Sequence, residues 1–194
     1  NALALGPGLG THPETQQFVR AVLHDSLVPI VLDADGLNAF AGRAAELSER
    51  NAPLAVTPHP GEMARLLGCT TAQVQADRLN IALQSAAQWN AMVVLKGYRT
   101  IIATPDGRAF INSTGNPGMA TGGTGDVLTG MLAGLTAQFS TGLWERVLGL
   151  GVYLHGLAGD LAAENFGEAS LIATDLATAI PRAWRDLLSG LEHA

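Results

Sequence analysis

Short apolar runs alternate with segments of helical periodicity along most of the chain. The first three runs, at residues 2–5, 30–32 and 53–57, each end in a turn rich in glycine, proline or carboxylates. Between them, apolar residues recur at three- and four-residue spacing, which predicts helices. The predicted helices cover residues 13–26, a segment that begins near Leu37, and residues 43–51, 63–67 and 70–89. Such alternation is typical of an α/β protein with a parallel sheet.

The second half of the chain adds a predicted hairpin and then becomes helical. Residues 92–95 form a predicted strand, and segments 99–104 and 108–112 flank Pro105-Asp106-Gly107, a strong turn signal. We therefore expect a mostly parallel sheet with one antiparallel hairpin. Helices are predicted directly after the glycines at 122–125 and over residues 144–166 and 174–188. No repeat or linker divides the chain, so we expect residues 1–194 to form a single domain.

The stretch NSTGNPGMATGGTGDVLTGMLAGL, residues 112–135, is the strongest candidate for chemistry. Its glycines allow the backbone to approach a ligand closely, and the apolar positions after them form one helical face. Free N–H groups and the positive end of the helix dipole then favour an anion, most often phosphate. No Gly-Lys-Ser/Thr follows, so this is not a Walker A loop, and it lies too far along the chain for the dinucleotide-binding fingerprint.

Asp126 closes the Gly-Gly-Thr-Gly run and has two interpretations. It is either a first-turn carboxylate stabilised by the helix dipole or a general base. A general base here would take a proton from a substrate hydroxyl while the helix N-terminus holds the phosphate that the hydroxyl attacks. The glycine run before Asp126 favours the second interpretation.

Other candidates follow the predicted strands. Gly6, Gly8 and Gly10 form a second glycine-rich loop, which is either a plain turn or a ligand loop. Asp35 either caps the helix after it or takes part in a site beyond the strand ends. His59 lies between two prolines that stiffen its backbone, which favours contact with a ligand.

Two further candidate ligand contacts lie in the later strands and helices. Lys96 ends a strand shortly before the anion site and is either a phosphate or nucleotide contact or an exposed cation. His155 lies on an apolar stretch and is better explained as a core histidine than as a ligand.

Composition narrows the function classes. The net charge of −6 provides no basic field for nucleic acid or an anionic membrane surface. No apolar run reaches the length of a membrane span. The only cysteine, Cys69, cannot form an internal disulfide, which favours a reducing compartment and a cytoplasmic protein, and Cys69 itself is expected to be a small apolar residue.

Three segments in this order closely resemble one family. TPHPGE (57–62), LKGYRTII (95–102) and NPGMATGGTGDVLTG (116–130) are similar to ADP-dependent NAD(P)H-hydrate dehydratase, a member of the ribokinase-like superfamily. GPGLG (6–10) and DADGLNAF (33–40) fit as well, so the resemblance covers nearly the whole chain. The GTGD core alone is shared with small-molecule kinases, whereas the longer glycine motif is specific.

The resemblance implies a ribokinase-like three-layer α/β/α fold and the repair of hydrated NADH and NADPH. In this reaction ADP, or ATP, supplies the phosphate that drives loss of water from the nicotinamide ring. Mg²⁺ is expected to offset the phosphate charge, and the resemblance assigns no residue as a metal ligand. By resemblance, Gly10, His59 and Asp126 contact the hydrated dinucleotide, and Asp126 is catalytic. The implied nucleotide contacts are Lys96, Gly97, Tyr98, Arg99, Thr100, Gly122, Gly123, Thr124 and Gly125.

The resemblance also implies features outside the site. The family domain starts before Ala2 with a glycine-containing segment that helps to bind substrate, so we expect this domain to lack its N-terminal segment. Fusion to an epimerase domain and assembly into a homo-oligomer, specifically a tetramer, are expected as well; the apolar 143–160 region adds to the expectation of an oligomer. Two alternatives stay open: a vitamin-precursor kinase of the same superfamily, and a nucleotide-binding fragment without catalysis.

Overall fold

The computed structural model describes residues 1–139 and 141–192 and has a six-stranded sheet at its centre. The strands are β1 (Leu3–Leu5), β2 (Ile30–Leu32), β3 (Leu54–Val56), β4 (Met92–Leu95), β5 (Ile101–Ala103) and β6 (Ala109–Ile111). They lie side by side in chain order. β1 to β4 are parallel, whereas β5 and β6 form an antiparallel hairpin against β4. The mostly parallel sheet with one hairpin is confirmed.

Helices cover both faces of this sheet. They are α1 (Pro13–Asp25), α2 (Asp35–Asn38), α3 (Pro60–Leu67), α4 (Thr71–Ala76), α5 (Arg78–Trp89), α6 (Thr124–Gln138), α7 (Trp144–Phe166) and α8 (Ala173–Glu192). Short 3-10 helices occupy Ala44–Ser48, Pro117–Met119, Thr141–Leu143 and Glu168–Ser170.

The alternation of side chains along each strand divides the core between the two faces. Ile30 and Leu32 pack in the cluster with α1 to α5, whereas Val31 between them packs in the cluster with α6 and α7. Because successive strand residues point to opposite faces, a strand covered on both sides must be apolar throughout. Helix α8 packs outside α7 in a third cluster. This is the three-layer α/β/α arrangement of the ribokinase-like fold.

Several predicted boundaries change. The helix predicted over 70–89 is wrong as a single element, because Asp77 has φ −147 and ψ 56 and separates α4 from α5. Helix α2 begins at Asp35 rather than near Leu37, and the polar segment at 43–51 contains a 3-10 helix. Hydrophobic periodicity shows which positions are apolar. A single non-helical residue between two helices leaves that pattern nearly unchanged, so the break is not visible in it.

The apolar residues of 143–160 are used inside the chain. Leu148 and Val152 of α7 are buried against the sheet side, and Leu154 is buried in the cluster with α8. Their apolar character therefore does not indicate an oligomer interface. Trp184 of α8 packs against the same clusters, and Cys69 is a half-buried free thiol. In the described residues, no helix is both long enough and apolar enough to cross a membrane.

Candidate functional site

A cavity of about 1080 Å³ opens beyond the carboxyl end of β4. Its walls come from five places: His59 and Pro60 at the start of α3, residues 96–100 after β4, the segment 111–121 that begins at the end of β6, the start of α6, and one face of α7. Ligands of open α/β sheets bind beyond the carboxyl ends of the strands, and this cavity has the size of a small-molecule or cofactor site. The cavity therefore brings together the two segments that the sequence singled out most strongly.

Lys96 lies on this cavity and is the centre of a buried charge cluster. Its Nζ lies 2.7 Å from Asp33 Oδ1 and 3.7 Å from Glu62 Oε2. The other oxygen of Asp33 accepts a 2.7 Å hydrogen bond from Thr129 of α6. The Asp33 side chain is only 1% exposed and that of Lys96 only 18%, so the alternative of an exposed cation is wrong. Buried charges must be paired, and here the ends of β2 and β4 and the start of α3 supply the partners.

His59 is fixed by the start of α3 rather than by its prolines alone. Its Nδ1 accepts hydrogen bonds from the N–H groups of Gly61 and Glu62, at 3.0 and 3.4 Å. The Glu62 carboxylate in turn accepts one from the His59 N–H at 2.7 Å, which completes a capping box. The His59 ring is half exposed and lines the cavity. Burial lowers the pKa of His59, and the charge of Glu62 opposes this shift.

The segment after β4 takes its shape from Arg78, a residue that the sequence reasoning missed. From the first position of α5, Arg78 donates to the carbonyl groups of Leu95 and Lys96, at 3.2 and 3.4 Å, and to that of Tyr98. Gly97 has φ +134, and a Cβ there would lie 3.2 Å from Arg78 Nη2, so glycine suits both the backbone and the contact. No local signal marked this role, because residues 70–89 were predicted as one helix and the carbonyl partners of Arg78 lie about twenty residues further along the chain.

Tyr98 and Arg99 form the exposed rim of that segment. Tyr98 is 79% exposed, and the Arg99 guanidinium lies 5.4 Å from the centre of its ring. Such a cation–π pair holds the aromatic face at the cavity mouth. The Thr100 hydroxyl donates to the Gly97 carbonyl at 3.1 Å, which closes the turn.

The glycine loop enters α6 as predicted. Gly123 is the N-cap, with φ +89, and Thr124 is the first helical residue. The Thr124 hydroxyl donates to the carbonyls of Met119 and Thr121, at 2.7 and 2.9 Å, so it ties the loop to the helix. A Cβ on Gly125 would lie 3.4 Å from Lys96 Nζ, so the helix N-terminus and the ammonium group share one side of the cavity. Both favour a bound phosphate.

Neither Asp126 nor Gly10 is among the residues that line the cavity. The cavity is lined by Thr124, Gly125 and Leu128 of α6, whereas Asp126 is exposed and is not among the lining residues. The Gly10 N–H donates to Asp35 Oδ2 at 2.8 Å. Asp35 does not cap α2: the N-cap is Ala34, with φ +50, and Asp35 is the first helical residue. The capping interpretation of Asp35 is therefore wrong.

The wall opposite Lys96 is an unpredicted contact between α7 and residues 114–119. A Cβ on Gly156 would lie 2.2 Å from Thr114 Oγ1, and one on Gly159 would lie 2.3 Å from Met119 Sδ. The Asp160 carboxylate accepts hydrogen bonds from the Gly115 N–H and the Asn116 side chain, both at 2.9 Å. The sequence His-Gly-Leu-Ala-Gly-Asp at 155–160 was a signal for this contact. Glycine weakens a helix, so two glycines inside one indicate that another segment packs closely against them.

His155 is a core histidine, as predicted, but it also lines the cavity. Its Nε2 donates to the Thr124 carbonyl at 2.9 Å, and the residue is 8% exposed. Burial lowers the pKa of His155 to about 4; the bond to Thr124 opposes the shift and the charge of Lys96 adds to it. The imidazole is therefore uncharged at neutral pH.

The residues of the described structure do not form a metal centre. They contain no group of three or more His, Cys, Asp and Glu side chains that could hold a metal ion. Asp33 and Glu62, the buried carboxylates nearest the cavity, are already paired with Lys96. A divalent cation in this cavity would depend on ligands that a bound nucleotide brings with it.

Fold and site together define a ribokinase-like α/β protein with a cavity bordered by the N-terminus of α6. Residues 1–182 match the family model described as NAD(P)H-hydrate dehydratase. The chain is 51% identical to a bifunctional NAD(P)H-hydrate repair enzyme of Moorella thermoacetica, covering 99% of this chain and 36% of that protein. The chain belongs to the NAD(P)H-hydrate dehydratase family.

Solved structures agree with this assignment. The ADP/ATP-dependent NAD(P)H-hydrate dehydratase of Bacillus subtilis, co-crystallised with ATP and Mg²⁺, superposes with a TM-score of 0.85 at 38% identity, covering 95% of this chain and 64% of that one. A ribokinase-like superfamily protein of Enterococcus faecalis gives a TM-score of 0.80 at 33% identity, covering 95% and 63%. The chain thus spans about a third of the bifunctional relative and less than two thirds of these solved structures.

Proposed function

We propose that this protein catalyses the ADP-dependent dehydration of hydrated NADH and NADPH, with ATP as an alternative phosphate donor. The observation that carries the proposal is the placement of the α6 N-terminus. It borders a cavity of nucleotide size on the side of Gly125 and Lys96, and it presents Asp126 to the exterior one residue later. A phosphoryl group held at this helix end would be within reach of ligands on both sides.

The nucleotide would occupy the cavity. Residues 96–100 would supply one wall of the nucleotide site. Of the expected phosphate-binding loop, Thr124 and Gly125 also line the cavity, whereas Gly122 and Gly123 are not among its lining residues. The B. subtilis relative was co-crystallised with ATP and Mg²⁺, which supports a nucleotide in this fold. Mg²⁺ would be held chiefly by the nucleotide phosphates and water, as is usual for this ion, and would neutralise phosphate charge.

The hydrated dinucleotide would bind on the outer side, near Gly10, His59 and Asp126. Asp126 takes the proton of the ring hydroxyl, whose oxygen attacks the terminal phosphorus of ADP and displaces AMP. The C–O bond then breaks, phosphate leaves with the hydroxyl oxygen, and loss of a proton from the neighbouring ring carbon restores the double bond. The N–H groups at the start of α6 stabilise the phosphoryl group during transfer.

The test is to mix the protein with hydrated NADH, ADP and Mg²⁺ and to measure the rise in near-ultraviolet absorbance as reduced nicotinamide forms. We expect a gain that needs ADP and falls about 10²–10⁴-fold in Asp126→Asn, the range for loss of a general base. Glu14→Gln is the matched control, because Glu14 is also an exposed first-turn carboxylate, on α1 and away from the cavity. It should keep full activity.

Three outcomes would contradict the proposal. Equal rates for Asp126→Asn and the parent would show that Asp126 is not the general base. A flat trace for the parent, with ADP still bound, would favour a nucleotide-binding protein without catalysis. Phosphorylation of a hydroxymethyl pyrimidine or thiazole in place of dehydration would instead indicate a vitamin-precursor kinase.

Assembly and location are part of the same proposal. Relatives named as bifunctional repair enzymes support fusion to an epimerase domain in the full-length protein. We also propose a homo-oligomer, specifically a tetramer, and a cytoplasmic location, where NADH and NADPH are abundant. Light scattering of the purified protein tests the first, and a monomer mass would overturn it; cell fractionation tests the second.

A further inference from the structure

We infer that His155 binds the nucleotide directly, with Nδ1 accepting a hydrogen bond from a ribose hydroxyl or from the amino group of the base. The inference rests on the proposed function, since it requires a nucleotide in the cavity. It gives His155 a role in ligand binding in addition to its place in the core.

The tautomer of His155 is fixed by its partner. A backbone carbonyl can only accept, so Nε2, 2.9 Å from the Thr124 oxygen, must carry the proton. A neutral imidazole with a proton on Nε2 has a free lone pair on Nδ1. The buried ring therefore offers an acceptor and not a second donor.

The acceptor faces the cavity. Within residues 1–139 and 141–192, Nδ1 of His155 has no hydrogen-bond partner. It is also not sealed from solvent: the side-chain nitrogens and oxygens that are fully buried and unpartnered in this part of the chain are Arg50 Nε, Arg78 Nε and Trp89 Nε1. Because His155 is 8% exposed and lines the cavity, the cavity is where a partner can reach it.

The surroundings select a donor of hydrogen bonds rather than an anion. Lys96 and the start of α6 supply the positive potential beside Gly125, where phosphate is expected. Leu128, Val152 and Gly156, which line the same cavity as His155, carry no charge. A neutral acceptor in an apolar wall suits a neutral donor, and a nucleotide carries such donors on its ribose and its base.

Two variants separate this role from the structural one. In His155→Gln the amide nitrogen can occupy the place of Nε2 and still donate to Thr124, but the Nδ1 acceptor is lost. In His155→Asn the amide oxygen can occupy the place of Nδ1, but the bond to Thr124 is lost. The two variants thus remove opposite ends of the same ring.

Calorimetric titration with ADP and thermal unfolding are measured on the parent and on both variants. We expect His155→Gln to raise the Kd for ADP about tenfold, the effect of one neutral hydrogen bond, with a melting temperature near that of the parent. His155→Asn should lower the melting temperature and keep the Kd within about threefold. Unchanged ADP affinity in His155→Gln, or affinity losses that simply follow the melting temperature in both variants, would overturn the inference.

Two analogues identify the donor. If a ribose hydroxyl is the partner, 2′,3′-dideoxyadenosine diphosphate should bind the parent and His155→Gln equally; if the amino group is the partner, inosine diphosphate should do so. A penalty that persists with both analogues overturns the inference. If the parent protein does not bind ADP, both the proposed function and the inference fail. If the parent binds ADP and His155→Gln binds it equally well, only the inference fails.

Discussion

On one side of the cavity Lys96 lies between two buried carboxylates, while on the other side α7 carries glycines pressed against the loop that leads to the phosphate site. We call these the charged wall (Asp33, Glu62, Arg78 and Lys96) and the packed wall (residues 114–119 with His155, Gly156, Gly159 and Asp160). In the charged wall each position is set by ion pairs and by hydrogen bonds from a cation. In the packed wall it is set chiefly by close packing of Gly156 and Gly159 against Thr114 and Met119, at distances that exclude a Cβ.

The difference predicts how each wall fails. Removing one charge from a buried network leaves its partner unpaired, which is costly at once. Adding one methyl group to a close backbone contact displaces the loop by steric overlap, with no electrostatic penalty. The charged wall should therefore be sensitive to loss of charge, and the packed wall to gain of volume.

The largest effect is expected for Lys96→Met in the charged wall. Asp33, with a side chain 1% exposed, then lacks its cation, and loss of one partner of a buried pair costs about 3–5 kcal/mol. Urea denaturation at neutral pH measures this loss. The double variant with Asp33→Asn should recover part of the stability, and a single variant within about 1 kcal/mol of the parent would show that the cluster is not held by charge.

Acidification should weaken the packed wall through His155. Its folded pKa of about 4 lies below the ordinary value of 6.5, so below 6.5 the unfolded chain takes up the proton first. The stability contributed by the neutral ring is thus complete above pH 6.5 and is lost as the pH falls toward 4. The loss amounts to about 3 kcal/mol.

Urea denaturation at both ends of this pH range, on the parent and on His155→Gln, isolates the contribution. The glutamine variant should lose less stability on acidification, because it has no group to protonate at that position. Parallel pH profiles for the two proteins would contradict the prediction.

Gly156→Ala should have the next largest effect. The new Cβ would lie 2.2 Å from Thr114 Oγ1 and 2.7 Å from the Thr114 carbonyl carbon, so residues 114–119 must move. We expect about 1–3 kcal/mol of destabilisation and weaker ADP binding. Gly149→Ala is the matched control on the same helix, since nothing in the described structure lies within 4 Å of its Cβ.

The control should stabilise the protein by up to about 1 kcal/mol, because alanine is a better helix former than glycine. Thermal unfolding and calorimetric titration with ADP measure both variants. If both alanines behave alike, close packing at Gly156 does not shape the cavity.

The smallest effect is expected for Arg78→Lys, which keeps the charge but loses the planar fork that reaches three carbonyls. ADP affinity should fall about three- to tenfold as residues 95–98 loosen, with about 1 kcal/mol of stability lost. Arg50 also donates to three carbonyls, those of Leu47, Trp89 and Asn90, away from the cavity. Arg50→Lys should cost similar stability without changing ADP affinity, and equal affinity losses in the two variants would contradict a role specific to Arg78.

Local chemistry explains what could be predicted without a structure. The apolar strands, the Pro105-Asp106-Gly107 turn and the passage from Gly123 into α6 each depend on a few adjacent residues. Their conformation follows from backbone freedom and hydrophobic periodicity, which are properties of the chain itself. The glycine loop was identified on these grounds, and the structure places it at the start of α6, beside the cavity.

The helix prediction over 70–89 failed because local periodicity does not describe distant partners. The chain leaves the helical conformation at Asp77. Arg78, the next residue, donates hydrogen bonds to carbonyl groups about twenty residues later, after β4. The same limit hid the role of α7, where glycines at 156 and 159 have meaning only beside Thr114 and Met119.

The sequence by itself determined the strands, the hairpin, the glycine turn into α6 and the family, because each depends on neighbouring residues or on a contiguous motif. Only the tertiary structure decided the partners: Lys96 with Asp33, 63 residues apart, Thr129 with Asp33, 96 apart, and Asp160 with Gly115, 45 apart. Hydrophobic periodicity specifies which face of an element is buried but not which element covers it. Those pairings form only when the sheet and its helices pack, and they shape both walls of the cavity.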